Sequence, residues 1–190
     1  MDRSREKRLI DCVRECHWLM RALIAARDLE LDNWCIGAGA IRNCVWDRLH
    51  GYAQPSPLAD VDVAYFAPYE VSGVERQHQA ALERACPGIP WEVTNQAHVH
   101  QWFEGHFGHP VEPLRSLSAA VASWPEFATS VGVTLDGADA LHVIAPLGLE
   151  DLFAMRVRRN PARVSLATYR ARVADKRYRE RWPRVDVVEE

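Results

Sequence analysis

The sequence predicts an α+β fold in which a mixed sheet is flanked by helices, with an N-terminal helix and a helical C-terminal extension. Three observations lead to this prediction. Residues 33–37 form a short apolar run that passes through small residues into a helical pattern at 40–49. Residues 60–66 alternate between apolar and polar side chains, and residues 131–144 have the pattern of a β-hairpin.

The first element is an amphipathic helix predicted over residues 3–28, which should pack on the elements that follow. Its apolar residues recur at helical spacing: Leu9, Ile10, Val13, Cys16, Met20, Leu23 and Ile24. The strand predicted at 33–37 comes next, and the helix at 40–49 is expected to end at Gly51. Together these segments predict a strand, a tight turn and a helix.

The second strand is predicted at residues 60–66, after a loop at 54–57 that contains two prolines. Alternation places Asp60 and Asp62 on the same face of this strand. A helix over 73–86 follows, and then a third strand.

The third strand is predicted at residues 91–95, with Glu92 on the face opposite Trp91 and Val93. Beyond it we predict a helix around 114–122, a hairpin of strands 131–135 and 140–144, and a helical tail. The basic helix of that tail should end near Trp182. We expect one domain over residues 1–190, with a core at about 30–145 and a helical C-terminal part at about 146–183.

Composition limits the classes of protein to which the chain can belong. Of its 190 residues, 48% are hydrophobic and 26% are charged, which is typical of a globular domain. A formal net charge of -3 gives no overall attraction to nucleic acid. No apolar run is long enough to span a membrane, the N-terminus lacks the apolar core of a signal peptide, and the 5 cysteines form no CxxC pair. We therefore expect a cytoplasmic protein with no membrane partner.

Three carboxylates are the candidate catalytic and metal-binding residues. If the strands at 60–66 and 91–95 are neighbours in one sheet, then Asp60, Asp62 and Glu92 can meet at a strand end. Residues i and i+2 of a strand lie roughly 6 to 7 Å apart on one face, so their carboxylates can share a divalent cation. Mg²⁺ accepts one or two carboxylates and completes its shell with water and substrate phosphates. The alternatives are a solvent-facing edge strand for the aspartates and an arginine partner for Glu92.

The small-residue turn before the predicted helix at 40–49 is the candidate phosphate-binding element. Gly37, Ala38 and Gly39 have almost no side-chain bulk, so an anionic group can approach their backbone N–H groups. The N-terminus of the helix adds further donors and the positive end of its dipole. Arg42 adds a fixed positive charge in the first turn.

These residues resemble a known superfamily. GAGAIRN followed by DVDVAYF is similar to the signature of the polymerase-beta-type nucleotidyltransferases, and its turn is similar to that of CCA-adding enzymes and poly(A) polymerases. More closely, the chain from about Trp34 to Trp182 resembles a family of uncharacterised bacterial nucleotidyltransferase-like proteins. The segments that carry this resemblance are GAGAIRNCVWDRLHG, DVDVAYF, WEVTNQAHVH, IAPLGLEDLFAMRV and RYRERWP.

The resemblance implies a polymerase-beta-like core and a role for each matching residue. Gly37 and Gly39 would be triphosphate-turn residues, Asp60 and Asp62 metal ligands, and Glu92 the third acid. The cofactor would be Mg²⁺ or Mn²⁺ and the substrate an NTP. The chain departs from the superfamily pattern in lacking a hydroxyl residue in the turn, in having Asn43 where the tRNA-modifying relatives carry an aspartate, and in its longer interval from Gly39 to Asp60.

The expected function is transfer of a nucleoside monophosphate from an NTP to an unidentified acceptor, such as RNA or a phosphorylated small molecule, with release of pyrophosphate. Two other functions remain open. One is a catalytically inactive nucleotide- or RNA-binding module with the same fold, which the missing hydroxyl residue favours. The other is a purely structural partner protein.

Two further segments each have a functional and a structural interpretation. The stretch 98–109 contains His98, His100, His106 and His109, whose spacing matches no zinc motif and favours a loop near the site, where Asn95, Gln96 and His98 could touch substrate. Its aromatic residues Trp102, Phe103 and Phe107, like Trp91, could stack a base or pack in the core. The Arg-rich segment 156–184 is either a solvated helix face or a basic wall for an acceptor, with Arg156, Arg158 and Lys176 as its candidate residues.

Overall fold

The computed structural model describes residues 2–71 and 73–189. It contains a five-stranded mixed sheet in the order β3-β2-β1-β4-β5. The strands are β1 (Trp34–Gly37), β2 (Val61–Tyr65), β3 (Trp91–Asn95), β4 (Gly132–Leu135) and β5 (Leu141–Ile144). Helices flank this sheet, so the predicted α+β class is confirmed, and each predicted strand lies within two residues of its expected bounds.

The pairing of β2 with β3 fixes the geometry of the candidate site. The two strands are parallel, and Asp62 is in register with Glu92. The other pairs, β1 with β2, β1 with β4 and β4 with β5, are antiparallel. Helix α4 (Val74–Ala85) supplies the crossover that a parallel pair requires, and buries Leu82 beneath it.

The N-terminal region differs from its prediction, because two helices replace the single helix expected over residues 3–28. They are α1 (Arg3–Glu15) and α2 (His17–Arg27), and Cys16 between them has an extended backbone with φ -90° and ψ 90°. Helix α1 packs on the helix that follows β1, whereas α2 packs on β4 and α4. The bend lets both apolar faces reach the core, which a straight helix of this length could not do.

Helix α3 (Ala38–His50) follows β1 without an intervening loop. It is buried from Ala40 to Asp47 and ends, as predicted, at Gly51, whose φ of 70° is left-handed. Because this helix begins two residues earlier than the sequence pattern indicates, the small-residue turn forms its first turn.

The second half of the chain contains several short elements. They are α5 (His100–Phe107), α6 (Leu117–Ala122), a 3-10 turn (Phe127–Thr129), α7 (Glu150–Phe153), β6 (Arg156–Val157), α8 (Leu166–Lys176), α9 (Tyr178–Arg181) and β7 (Asp186–Val187). The stretch 98–109, expected to be a loop, is therefore largely helical. The expected basic helix breaks at Arg177, whose φ is 50°, and the parallel pair β6–β7 was not predicted.

One hydrophobic cluster of buried residues extends from Leu9 in α1 to Val187 in β7. Its largest fully buried side chains include Trp46 of α3 and Trp182 of the C-terminal part. In the described residues no helix is both long and apolar enough to cross a membrane.

Candidate active site

Three carboxylates lie together where β2 and β3 are paired. Asp60 directly precedes β2, Asp62 lies within it, and Glu92 is the in-register partner of Asp62 on β3. All three line a cavity of about 280 Å³, which we call the polar cavity. Its wall also includes Gly39, Arg42, Arg172 and Lys176.

The charges of the three carboxylates are only partly compensated by neighbouring protein groups. In residues 2–71 and 73–189, no side chain or backbone N–H donates a hydrogen bond to Asp60, Asp62 or Glu92. Burial, together with the charges of Asp60 and Glu92, raises the pKa of Asp62 to about 7, although Arg172 and Lys176 act in the opposite direction. The cluster therefore has an excess of negative charge that a bound cation would relieve.

The donor chemistry of this cluster fits a divalent cation that is shared with a substrate. Among the described residues no group of three or more His, Cys, Asp or Glu side chains is arranged to hold a metal ion. A protein cage is not what Mg²⁺ requires, since it binds to one or two carboxylates and takes its other oxygens from water and phosphates. Asp60 and Asp62 could supply the protein oxygens, with Glu92 beside them.

The turn from β1 into α3 forms one side of the polar cavity. Ala38 and Gly39 both line it, and Ala38 has a left-handed φ of 50°, a conformation that costs a side chain about 1 kcal/mol. The N–H of Ala38 donates to the carbonyl of Val131 at 3.0 Å. The N–H groups of Gly39 and Ala40, in the first turn of α3, have no acceptor within the helix. Gly39 lines the polar cavity whereas Ala40 is fully buried, so the N–H of Gly39 is the donor that an anion in the cavity would meet.

The two glycines of the turn do different things. A Cβ on Gly39 would project beside the cavity, 3.5 Å from Nη2 of Arg42 and 3.7 Å from Oδ1 of Asp60. A Cβ on Gly37 would lie only 2.4 Å from Cη2 of Trp124 and 2.9 Å from the carbonyl oxygen of Val131. Gly37 is buried and does not line the cavity, so its small size serves packing against Trp124.

Arg42 is more deeply buried than its position in the first turn suggested. It is 3% exposed, and its guanidinium lies 5.2 to 5.6 Å from the ring centroids of Trp46, Tyr178 and Trp182. Nη2 donates to Oδ1 of Asn43 at 2.8 Å, while Nε is buried without a hydrogen-bond partner in the described residues. The charge is thus held in an aromatic wall that borders the polar cavity.

A buried charge network places a second arginine at the cavity. Arg172 of α8 lines the cavity and donates from Nε to Oε1 of Glu126 at 2.8 Å, and the Tyr178 hydroxyl donates to the same oxygen at 2.7 Å. Burial alone would raise the pKa of Glu126, but the charges of Arg172 and Arg42 outweigh it and hold this pKa below its ordinary value.

The sequence did not identify Glu126 or Arg172 as functional residues. Lys176 was identified, and it lines the polar cavity one helical turn beyond Arg172. Their i, i+4 spacing on α8 was the available signal, because it places both cations on one face of a helix.

Comparison with known proteins agrees with this geometry. A family model described as nucleotidyltransferase matches residues 24–187. The chain belongs to this nucleotidyltransferase family. A solved structure whose NMR analysis "reveals a CCA-adding enzyme head domain" is similar to it, with 27% sequence identity and a TM-score of 0.81 over 97% of this chain and 96% of the other. No curated protein matches the sequence.

The other basic residues proposed from the sequence lie away from the polar cavity of this nucleotidyltransferase. Nε of Arg156 is 3.3 Å from a carboxylate oxygen of Asp186, and Nε of Arg158 donates to Asp151 at 2.9 Å. Neither arginine lines the polar cavity. The basic wall expected over 156–184 is therefore reduced, at the cavity, to Arg172 and Lys176.

Asn95 and Gln96 of this nucleotidyltransferase have separate roles. Asn95 is fully buried and bonds through its side chain to the backbone of Ala67 and Ala97, so it stabilises the end of β3. Gln96 lines the polar cavity. Touching a substrate thus remains a prediction for Gln96, whereas the position of Asn95 indicates a structural role.

The histidines and the aromatic residues after β3 also differ in their positions relative to the polar cavity. The lining of the polar cavity includes none of the four histidines at 98, 100, 106 and 109. Trp91 is buried and donates to the carbonyl of Cys86 at 3.1 Å, which makes it a core residue. Trp102, Phe103 and Phe107 lie on α5 and line a second cavity next to the carboxylates.

Proposed function

We propose that this nucleotidyltransferase is a Mg²⁺-dependent enzyme that transfers a nucleoside monophosphate from an NTP to an acceptor. An acceptor hydroxyl attacks the α-phosphorus and forms the new P–O bond. The bond from the α-phosphorus to the oxygen that bridges to the β-phosphate breaks, and pyrophosphate leaves. The hydroxyl proton passes to a carboxylate or to water.

One observation carries this proposal. Asp60, Asp62 and Glu92 lie without protein hydrogen-bond donors, among the described residues, on the wall of a cavity that also takes in the first turn of α3. The polar cavity is thus lined both by carboxylates that can bind a cation and by the start of α3, whose backbone N–H groups can bind an anion. A polyphosphate with a divalent cation satisfies both requirements.

Each residue has a definite role in this mechanism. Asp60 and Asp62 would hold the cation, and a cation bound there would supply charge neutralisation for the triphosphate and a lower pKa for the attacking hydroxyl. Glu92 completes the cation site or accepts the proton. The N–H group of Gly39 binds a phosphate oxygen, and the positive charges of Arg42 and Arg172 favour the charge that develops on the leaving group.

Calorimetric titration of the protein with Mg-ATP and the other Mg-NTPs tests the binding site. The wild type should show saturable binding, and the double variant Asp60→Asn, Asp62→Asn should show none at the same concentrations. Asp32→Asn is the matched control, because Asp32 is exposed and does not line the polar cavity. Unaltered binding in the double variant would remove the metal role assigned to the two aspartates.

A labelling experiment identifies the class of acceptor. The protein is incubated with α-labelled NTPs, Mg²⁺ or Mn²⁺, and separate pools of RNA, protein and small molecules from a cell extract. Label should enter one pool, with the RNA and the phosphorylated small molecules as the expected candidates. The double variant should transfer no label to any of them.

A catalytically inactive nucleotide- or RNA-binding module is the second candidate function. Its support is the turn, where Ala38 and Ala40 provide no hydroxyl and α3 has no side-chain cap. Release of pyrophosphate in the presence of the complete extract separates the two functions. Saturable Mg-NTP binding without pyrophosphate release would favour the inactive module.

A further inference from the structure

A second cavity of about 560 Å³ adjoins the polar cavity on the side of α5 and α8. We call it the aromatic cavity, because its apolar wall includes Trp102, Phe103, Phe107 and Trp124. The residues that line both cavities include Asp62, Glu92, Gln96, Trp124, Arg172 and Lys176. Asp62 and Glu92 therefore lie at the boundary between the polar cavity and the aromatic cavity.

The aromatic residues of this cavity are more exposed than packing alone explains. Trp102 is 41% and Phe107 is 47% exposed, although both lie on the short helix α5 that buries Phe103. The ring centroids of Phe103 and Phe107 are 4.4 Å apart, so the buried ring of Phe103 packs against the exposed ring of Phe107. The result is a supported aromatic surface that faces open space beside the carboxylates.

The order of groups along an NTP determines what this surface would meet. The β- and γ-phosphates lie toward the first turn of α3, and the α-phosphate lies at Asp60 and Asp62, if the proposed function holds. The nucleoside is joined to the α-phosphate through an oxygen other than the one that bridges to the β-phosphate, so it extends away from the triphosphate. It must therefore continue past Asp62 and Glu92, and the aromatic cavity is the space that opens there.

We infer that the aromatic cavity binds the nucleobase of the NTP by stacking on Trp102 and Phe107. Its volume lies within the range of small-molecule pockets, roughly 300 to 1,000 Å³. Gln96 and Thr168, which also line it, offer polar groups to the edge of a planar ring. This inference rests on the proposed function, because it requires the triphosphate to lie in the polar cavity.

Comparison of ATP with inorganic tripolyphosphate, both with Mg²⁺, isolates the contribution of the nucleoside. The wild type should bind ATP more tightly than tripolyphosphate. Trp102→Ala and Phe107→Ala should each weaken ATP binding about 5- to 150-fold, the range that loss of one base-aromatic stack produces. Neither variant should alter tripolyphosphate binding, and Trp102→Phe, which keeps a ring, should retain most of the ATP affinity.

Tyr69→Ala is the matched control, because Tyr69 is 98% exposed and lies outside both cavities. ATP affinity that is unchanged in both alanine variants would overturn the inference while leaving the triphosphate site intact. ATP affinity that is unchanged while transfer to an acceptor is lost would also overturn it and assign the cavity to the acceptor. If the wild type binds neither ATP nor tripolyphosphate, the proposed function fails and the inference fails with it.

Discussion

At the scale of single residues, Asp62 lies in an environment that strongly disfavours its ionised form. It is half-buried between Asp60 and Glu92, and its pKa is raised to about 7 from an ordinary value of 3.8. The folded protein therefore holds a proton at Asp62 over a pH range in which the unfolded chain has already lost it. Above the folded pKa, the ionised carboxylate disfavours the folded state.

The sign of the pH dependence follows from this difference in proton binding. Between pH 4 and 7 the folded state binds more protons at Asp62 than the unfolded state does, so the free energy of unfolding falls as pH rises. The full shift corresponds to about 4 kcal/mol, and solvent screening of a half-buried group reduces this to about 1 to 2 kcal/mol.

We predict that Asp62→Asn stabilises the metal-free protein at pH 8 by about 1 to 2 kcal/mol and has little effect at pH 4. Urea unfolding in EDTA at both pH values measures the difference, with Asp32→Asn as the control. Mg²⁺ added at pH 8 should stabilise the wild type and leave Asp62→Asn less affected, since binding to the folded state alone adds stability. Equal pH dependence in the wild type and Asp62→Asn would contradict the assigned environment.

At the scale of elements, the β1–α3 turn contains two glycines, separated by Ala38, of which one is required for packing and the other for binding. Gly37 allows the ring of Trp124 to approach the backbone, whereas Gly39 leaves space beside Asp60 and Arg42. The same Gly→Ala change should therefore have different consequences at the two positions.

Gly37→Ala should reduce stability, because its Cβ would lie within 2.9 Å of backbone and ring atoms that cannot easily move. We expect a loss of about 1 to 3 kcal/mol in the free energy of unfolding, as for other overpacked sites. Gly39→Ala should leave stability nearly unchanged, since its nearest neighbours are 3.5 Å or more away, but should weaken tripolyphosphate binding. Urea unfolding and calorimetry on the two variants provide the comparison, and the reverse pattern would refute these roles.

At the scale of the whole molecule, sequence periodicity predicted the elements whose apolar residues recur at regular spacing. Alternation at β2 and β3 placed Asp62 and Glu92 on their strands, and the register of these strands brings them together. The pairing of Glu126 with Arg172 had no such signal, because the two residues are 46 apart in the sequence and meet only after α8 docks. The pair β6–β7 has two residues in each strand, too few to show alternation.

Helix α5 shows why composition alone was misleading. The spacing of the histidines suggested a loop near the site, yet residues 100–107 are helical, and Phe103 is buried while Phe107 remains exposed. The helix depends on packing of Phe103 beside the cavity, which a periodicity count over so short a segment cannot detect. The sequence left open whether the aromatic residues of this stretch stack a base or pack in the core, and the structure divides them, since Phe103 is buried while Trp102 and Phe107 are exposed.

The C-terminal part contacts α3 through Trp182, and this contact determines whether the chain unfolds as one unit. Trp182 is fully buried, its indole Nε1 donates to Oδ1 of Asp47 at 2.7 Å, and its ring lies 5.3 Å from that of Trp46. Because Trp46 belongs to the helix whose first turn borders the polar cavity, the C-terminal part should support the site as well as the core.

We predict that Trp182→Ala lowers the free energy of unfolding by about 3 to 5 kcal/mol, the cost of removing a buried aromatic side chain. The same change at Trp102, which is 41% exposed, is the matched control and should cost far less. If residues 1–190 form one cooperative domain, then circular dichroism and tryptophan fluorescence should report a single coincident transition in the wild type and in Trp182→Ala. Two separate transitions, or a cost at Trp182 no larger than at Trp102, would mean that the C-terminal part folds independently of the sheet.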